Sequence, residues 1–211
     1  VDVANITIHY TRTGSGENLL LFPDNHLASS AYKKEIDHFS NRFEVIAFDY
    51  PTTGKSTHQV HYPDERQVDY WGFWADLACH LLIELEIDRC FTLGVGGGAL
   101  TALHFAGKQA LQHNLNPLGL ILDSFLADWN TRTLHRWLDV REHFYVRNKK
   151  NLEEQHGADW SDVLDADTNY LRKLADRGGY CVPNNILNAI QCPVLLTGHL
   201  QDHTLPDLAG E

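Results

Sequence analysis

Residues Phe91-Thr92-Leu93-Gly94-Val95-Gly96-Gly97-Gly98-Ala99-Leu100 run from an apolar stretch into a helical pattern through four glycines in five positions. A chain that turns this sharply from strand to helix needs residues that tolerate positive φ and let backbone approach backbone, and glycine, lacking a Cβ, does both. Such a turn leaves free amides at the start of the following helix, a seat for an oxyanion or a phosphate. No other segment restricts the fold as much, because the turn requires a strand on one side and a helix packed back against it on the other.

The rest of the chain repeats that alternation. Residues 6–10 read as an edge strand, ended by the turn Thr13-Gly14-Ser15-Gly16. Residues 19–22, 45–48, 91–93, 118–122 and 194–197 are continuous apolar runs of the kind a strand buried on both faces needs. The clearest helix is predicted over residues 65–86, where Trp71, Trp74, Ala78, Leu81 and Leu85 recur at spacings of three and four and share one face. A second is predicted over residues 99–112. Strands alternating with helices imply an α/β fold with a mainly parallel sheet covered by helices on both faces, since each right-handed crossover lays its helix on the sheet. Ligands in such folds gather at the carboxyl ends of the strands. Residues 124–191 break the rhythm: they are charged and helix-like, and carry Trp129, Trp137, Phe144, Tyr145 and Trp160 without a convincing strand. They are expected to form a helical insertion over the sheet's carboxyl edge, with residues 1–123 and 192–211 as the core.

Composition limits the partners. The 211 residues, 43% apolar and 21% charged, suffice for one well-buried core. With 28 acidic against 17 basic residues the formal charge is −11, a field that repels phosphate backbones and anionic membranes. A small molecule, not nucleic acid or a membrane, is the expected partner. No stretch approaches the roughly 18 apolar residues of a membrane span, and the first residues lack a signal-peptide layout, so a cytoplasmic protein is expected. Cys79, Cys90, Cys181 and Cys192 form no Cys-x-x-Cys pair and no zinc-ligand spacing, and are expected to be reduced, mostly buried thiols. No cofactor and no metal are expected. Gly54-Lys55-Ser56 does not make a phosphate loop, because Asp49 stands where the leading glycine belongs.

Two constellations use a glycine turn of this kind. One is the nucleophile elbow Gly-x-Ser-x-Gly; the other is the dinucleotide fingerprint, which Gly94, Gly96 and Ala99 match, with Asp123 ending the next strand. Context favours the elbow. The segments 19–30, 49–56, the glycine turn, 120–124 and 192–202 occur in the order seen in α/β-hydrolases with a helical cap, and the chain resembles that superfamily over nearly its whole length. Asp49, Gly54 and Ser56 match the family's Asp-x-x-Gly-x-Gly-x-Ser, with Thr52 in place of its first glycine. The resemblance implies that Asp202 is the triad carboxylate, that the amides of Asn25 and Gly97 form the oxyanion site, and that Trp129 of the insertion helps bind substrate. His199, Asp202 and His203 also make a compact group of possible metal ligands, but the resemblance gives that aspartate another role.

The departures from the family bear on function. Gly96 stands at the position of the nucleophilic serine and has no side chain to attack with. Pro23-Asp24 replaces the usual His-Gly before the oxyanion amide. No histidine falls at the family's position, and a C-terminal strand-helix segment that would carry it is expected to be absent. Three readings stay open: a hydrolase of a small ester, amide or related acyl substrate; a non-catalytic binding or signalling member of the fold; and a nicotinamide- or flavin-dependent oxidoreductase using the glycine turn.

Overall fold

The computed structural model describes residues 1–3, 6–58 and 69–198. β1 (Asp2–Val3) and β2 (Ile6–Thr7) pair as a small antiparallel ladder. β3 (Tyr10–Gly14), β4 (Glu17–Phe22), α1 (Lys33–Phe39), β5 (Phe43–Phe48) and α2 (Tyr70–Glu84) follow. β6 (Arg89–Val95) leads into α3 (Gly97–His104), a π-helical turn (Phe105–Gln109) and α4 (Ala110–Gln112), and then β7 (Asn116–Asp123). β8 (Asp128–Asn130), α5 (Thr131–His156), α6 (Trp160–Asp176), β9 (Gly179–Cys181) and α7 (Asn184–Leu187) precede β10 (Val194–Thr197).

The central sheet has the order β10-β7-β6-β4-β5-β3, parallel throughout except for β3, which runs antiparallel to β5. The edge strand expected over residues 6–10 therefore lies further along. Ile6–Thr7 belongs to the small ladder, and Tyr10–Gly14 is the edge. Its exposed Thr11, Arg12 and Thr13 suit a position with one side open to water, and Arg12 pairs there with Glu44 of β5.

Period-two alternation divides the core. Leu20, Phe22, Ile46 and Phe48 pack with α2 and α3 on one face, while Leu19, Leu21, Val45, Ala47 and Leu93 pack with Tyr32 on the other. α2 buries Trp71, Trp74, Ala78 and Leu81, and Trp74 stacks on Tyr50 with ring centroids 4.4 Å apart. The run at 194–197 is the exception to two-sided burial. β10 is an edge strand and its Val194, Leu195 and Leu196 are exposed, because an edge strand has a neighbour on one side only and no described element covers it.

Residues 124–191 carry α5 and α6, and also β8 and β9, which pair antiparallel with Trp129 opposite Tyr180. Three residues per strand are too few for a periodic signal. Polar contacts hold this segment together and tie it to α2, α3 and the loops after β4 and β5. The Asp69 carboxylate caps α2 by accepting from the amides of Trp71 and Gly72 and also accepts from the Tyr180 hydroxyl at 2.9 Å. His104 Nε2 lies 2.9 Å from the same carboxylate. Burial pushes the Asp69 carboxyl up, but the hydrogen bonds and charge of His104, with Tyr180 and Gly72, outweigh it and hold the carboxyl below its ordinary value. Arg141 of α5 and Asp167 of α6 form a buried ion pair between the two long helices. At the end of α5, His156 Nδ1 accepts from the Gly54 amide at 2.9 Å while Nε2 donates to the His26 carbonyl at 3.1 Å.

No helix among the described residues is long and apolar enough to cross a membrane. The cysteines are free, but the expectation of burial holds for Cys79 and Cys90 alone. Cys192 is half-buried and Cys181 exposed, on the short strand β9 that the sequence did not reveal.

Two stability predictions follow from these contacts. Burial holds the His156 imidazole down at about 4, against 6.5 for the free side chain. Between those values the unfolded chain binds the proton and the folded chain does not, so stability falls as the pH drops from 6.5 toward 4. The slope is up to about 1.4 kcal/mol per pH unit for one such histidine. Urea midpoints measured from pH 4 to 7 should show this limb flattened in His156→Asn; an unchanged slope would count against the assignment. Thr52 has φ +75, a left-handed conformation that opposes a β-branched side chain, at the position where the resemblance has glycine. Thr52→Gly should raise the urea midpoint, by up to about 1 kcal/mol in stability.

Candidate functional site

β4 pairs with β5 on one side and β6 on the other, so the chain reverses its direction of progress across the sheet at β4. The crevice outside the carboxyl ends of β4 and β6 is the switch point where open α/β sheets bind ligands. Phe22 pairs with Gly94, which brings the residues just after β4 alongside the glycine turn after β6.

Gly96 sits between β6 and α3 with φ 56° and ψ −121°, a strained conformation that residues with a side chain rarely adopt. Its own amide bonds the Asp123 carbonyl at 3.0 Å, fastening the turn to the end of β7. Opposite it stands Asp24. One oxygen of that carboxylate, Oδ1, accepts from the Asn25 amide at 2.8 Å and from the Gly97 amide at 2.8 Å. Two amides aimed at one oxygen are the geometry of an oxyanion site. Here a carboxylate of the protein itself occupies that point. A Cβ added at Gly96 would lie 2.9 Å from Asp24 Cγ, 3.0 Å from Oδ2 and 3.1 Å from Oδ1, so the carboxylate fills the space a side chain at position 96 would use.

The surroundings hold Asp24 in place. Its amide donates to the Tyr32 hydroxyl at 3.0 Å, and the Leu27 amide donates to its carbonyl at 3.0 Å. Asn25 is fixed by Trp71, whose indole N–H donates to Asn25 Oδ1 at 3.0 Å. His26 is buried with Nδ1 4.0 Å from Asp24 Oδ2; burial holds its pKa below the ordinary value, against the opposing pull of Asp24 and with the help of Arg141.

These groups line a cavity of about 260 Å³. β4, β6 and their loops contribute Asp24, Asn25, His26, Gly96 and Gly97, α2 contributes Trp71, and residues 124–191 contribute Trp129, Trp137, Asp167 and Leu171. The residues singled out in the sequence thus meet at one place: Asn25, Gly96, Gly97 and Trp129 all border it. Asp202, with His199 and His203, lies outside the described residues. Asp24, His26 and Asp167 were not identified from the sequence as site residues, and Trp137 stood out only as one of the aromatics of residues 124–191. Only the presence of Pro23-Asp24 where the resemblance would put His-Gly hinted at the first.

Ser124 also borders the cavity, at φ +54, with its hydroxyl 3.3 Å from Asp123 Oδ2. Asp123 Oδ1 accepts from the Thr197 hydroxyl at 2.6 Å. The Asp-x-x-Gly-x-Gly-x-Ser segment is structural: buried Asp49 accepts from the Ser29 amide and hydroxyl and from the Lys55 amide, and the Ser56 hydroxyl donates to the Asp49 carbonyl. Away from the cavity, Asp76, His80 and His113 bring one possible ligand atom each within 4.8 Å of one another, and His113 Nε2 is 2.8 Å from Asp76 Oδ1.

No family model matches this chain, and no curated protein matches it in sequence. Solved structures do match in fold. A membrane phospholipase A, described as a bacterial virulence factor, superposes with a TM-score of 0.70 at 20% identity, over 97% of this chain and 70% of that one. A thermophilic esterase from Thermogutta terrifontis gives 0.66 at 22% identity, over 97% and 79%. The enol-lactonase from Burkholderia xenovorans LB400 gives 0.62 at 17%, over 92% and 78%. The chain has the α/β-hydrolase fold.

The tightest contact in the site generates a prediction. A Cβ at Gly97 would lie 2.1 Å from Asn25 Oδ1, which Trp71 holds in place. Gly97→Ala should therefore lower stability by about 1–3 kcal/mol, as overpacking does. Chemical denaturation is the measurement, and adding Asn25→Gly should recover part of the loss; a fully stable Gly97→Ala would show that Asn25 is free to move.

Proposed function

We propose that the cavity at the β4/β6 switch point holds a small molecule and that the chain does not turn it over through an acyl-enzyme at position 96. Asp24 carries this reading. Acyl-enzyme chemistry needs a nucleophile and a vacant oxyanion site. Glycine offers no nucleophile, and the two amides that suit an oxyanion are already bonded to the Asp24 carboxylate. Residues 124–191 serve in this reading as a cap, since Trp129, Trp137 and Asp167 close one side of the cavity. Free cysteines and a charge of −11 fit a cytoplasmic setting and a partner other than nucleic acid.

A second reading is favoured by the two converging amides and by structural neighbours that include an esterase and a lactonase. In it the chain hydrolyses a small ester, amide or related acyl compound without a covalent intermediate. Asp24 leaves the oxyanion site and takes a proton from water as the water oxygen bonds the acyl carbon. The amides of Asn25 and Gly97 then hold the oxyanion, and the leaving group departs with the proton. Asp202 would act as triad acid only in a hydrolase of the ordinary serine layout. An oxidoreductase reading fits least, because the Asp24 carboxylate at the start of α3 repels the pyrophosphate that a dinucleotide would place there.

A serine-directed fluorophosphonate probe and an activated ester separate these readings. The binding reading expects no labelled serine and no hydrolysis above buffer. Labelling mapped to any serine would overturn it. Hydrolysis without labelling, lost in Asp24→Asn, would replace it with the water-activating reading.

A further inference from the structure

We infer that the small molecule held in this cavity carries a protonated amine, which pairs with the Asp24 carboxylate between aromatic walls. The inference rests on the reading of the cavity as a ligand site and names the class of ligand.

Charge is the first observation. Asp24 Oδ1 is satisfied by two backbone amides, and its Oδ2 lies toward the space above Gly96, within 3.0 Å of where a Cβ there would stand. The side chain is 27% exposed, so the cavity reaches it. Among the described residues, one ionisable nitrogen comes near it, His26 Nδ1, at 4.0 Å and beyond hydrogen-bond reach. Burial disfavours the charged form of that imidazole. Arg141, the nearby permanent cation, pairs through Nη2 with Asp167 and through Nε with the Tyr145 hydroxyl, and its Nη1 is buried without a partner among the described residues. Asp24 therefore brings one negative charge with no matching cation among the described residues.

The walls are the second observation. Trp71, Trp129, Trp137 and Tyr32 border the same cavity, and aromatic faces attract cations electrostatically. The third is an acceptor to spare. Asp167 borders the cavity, and its Oδ1 is buried without a hydrogen-bond partner among the described residues, as are the donors Trp129 Nε1 and Arg141 Nη1. Carboxylate acceptors and π faces suit an ammonium donor, whereas a carboxylate or phosphate ligand would meet Asp24 head-on. The chain's overall charge of −11 favours the approach of a cation over longer range.

Titration calorimetry on the full chain tests this with three probes of similar size: 2-phenylethylammonium, the neutral 2-phenylethanol and the anionic 3-phenylpropanoate. The ammonium is expected to bind about tenfold or more tightly than the alcohol, as a charge-assisted hydrogen bond allows, and the propanoate most weakly. Asp24→Asn, which keeps an oxygen for the two amides but removes the charge, should abolish the preference. Because that variant also alters the turn, salt dependence of the wild-type chain gives an independent reading: ammonium binding should weaken with added salt and alcohol binding should not. Alcohol or propanoate binding as tight as the ammonium, or a preference retained in folded Asp24→Asn, would overturn the inference and leave the cavity a ligand site. Failure of all three probes to bind the folded chain would overturn the inference and the binding reading together.

Discussion

A single carboxylate oxygen, Asp24 Oδ1, receives the amide of the residue after it and the amide of the first residue of α3, and through these bonds the ends of β4 and β6 are held against each other. The contact depends on glycine at position 96. Any side chain there would need the volume the carboxylate occupies and a backbone conformation that L residues avoid. The amides at the head of α3 carry the positive end of the helix, so an anion is the natural occupant. In this chain the anion is built in.

The layer above the sheet is positioned by a different kind of contact. His156 between Gly54 and His26, and Asp69 with His104 and Tyr180, are buried or half-buried polar contacts joining elements far apart in sequence, and Arg141 with Asp167 joins the two consecutive helices α5 and α6. Unlike apolar packing, such contacts have direction. They fix how Trp129, Trp137 and Asp167 stand over the crevice, because a buried polar group left without its partner is costly. The cavity is thus enclosed by the sheet's carboxyl edge below and by a helical layer whose placement rests on a few ionisable side chains.

Asp24 and Gly96 are best understood together. A serine at 96 would collide with the carboxylate, and a smaller residue at 24 would leave the two amides free for a substrate oxygen. With glycine at 96 and aspartate at 24, two amides converge on one oxygen, and that oxygen belongs to the protein.

Much of the fold was legible because its signals are local. Apolar runs, the Trp71-to-Leu85 spacing and the glycine turn depend on residues a few positions apart, and they imply a parallel sheet with Gly96 at the tip of a strand-to-helix turn. The same local signals misplaced the edge strand, hid the three-residue strands β8 and β9, and gave β10 a burial that an edge position denies it. Sequence alone also determined that position 96 has no side chain with which to attack. What fills the space left there was decided by the tertiary structure. Asp24 and Gly97 are 73 residues apart, and Gly54 and His156 are 102 apart; such pairs meet only when crossovers bring separate strands and helices to one edge. No periodicity along a chain encodes which side chain lies across a crevice, because that depends on the register between strands and on how a distant helical layer is pinned above them.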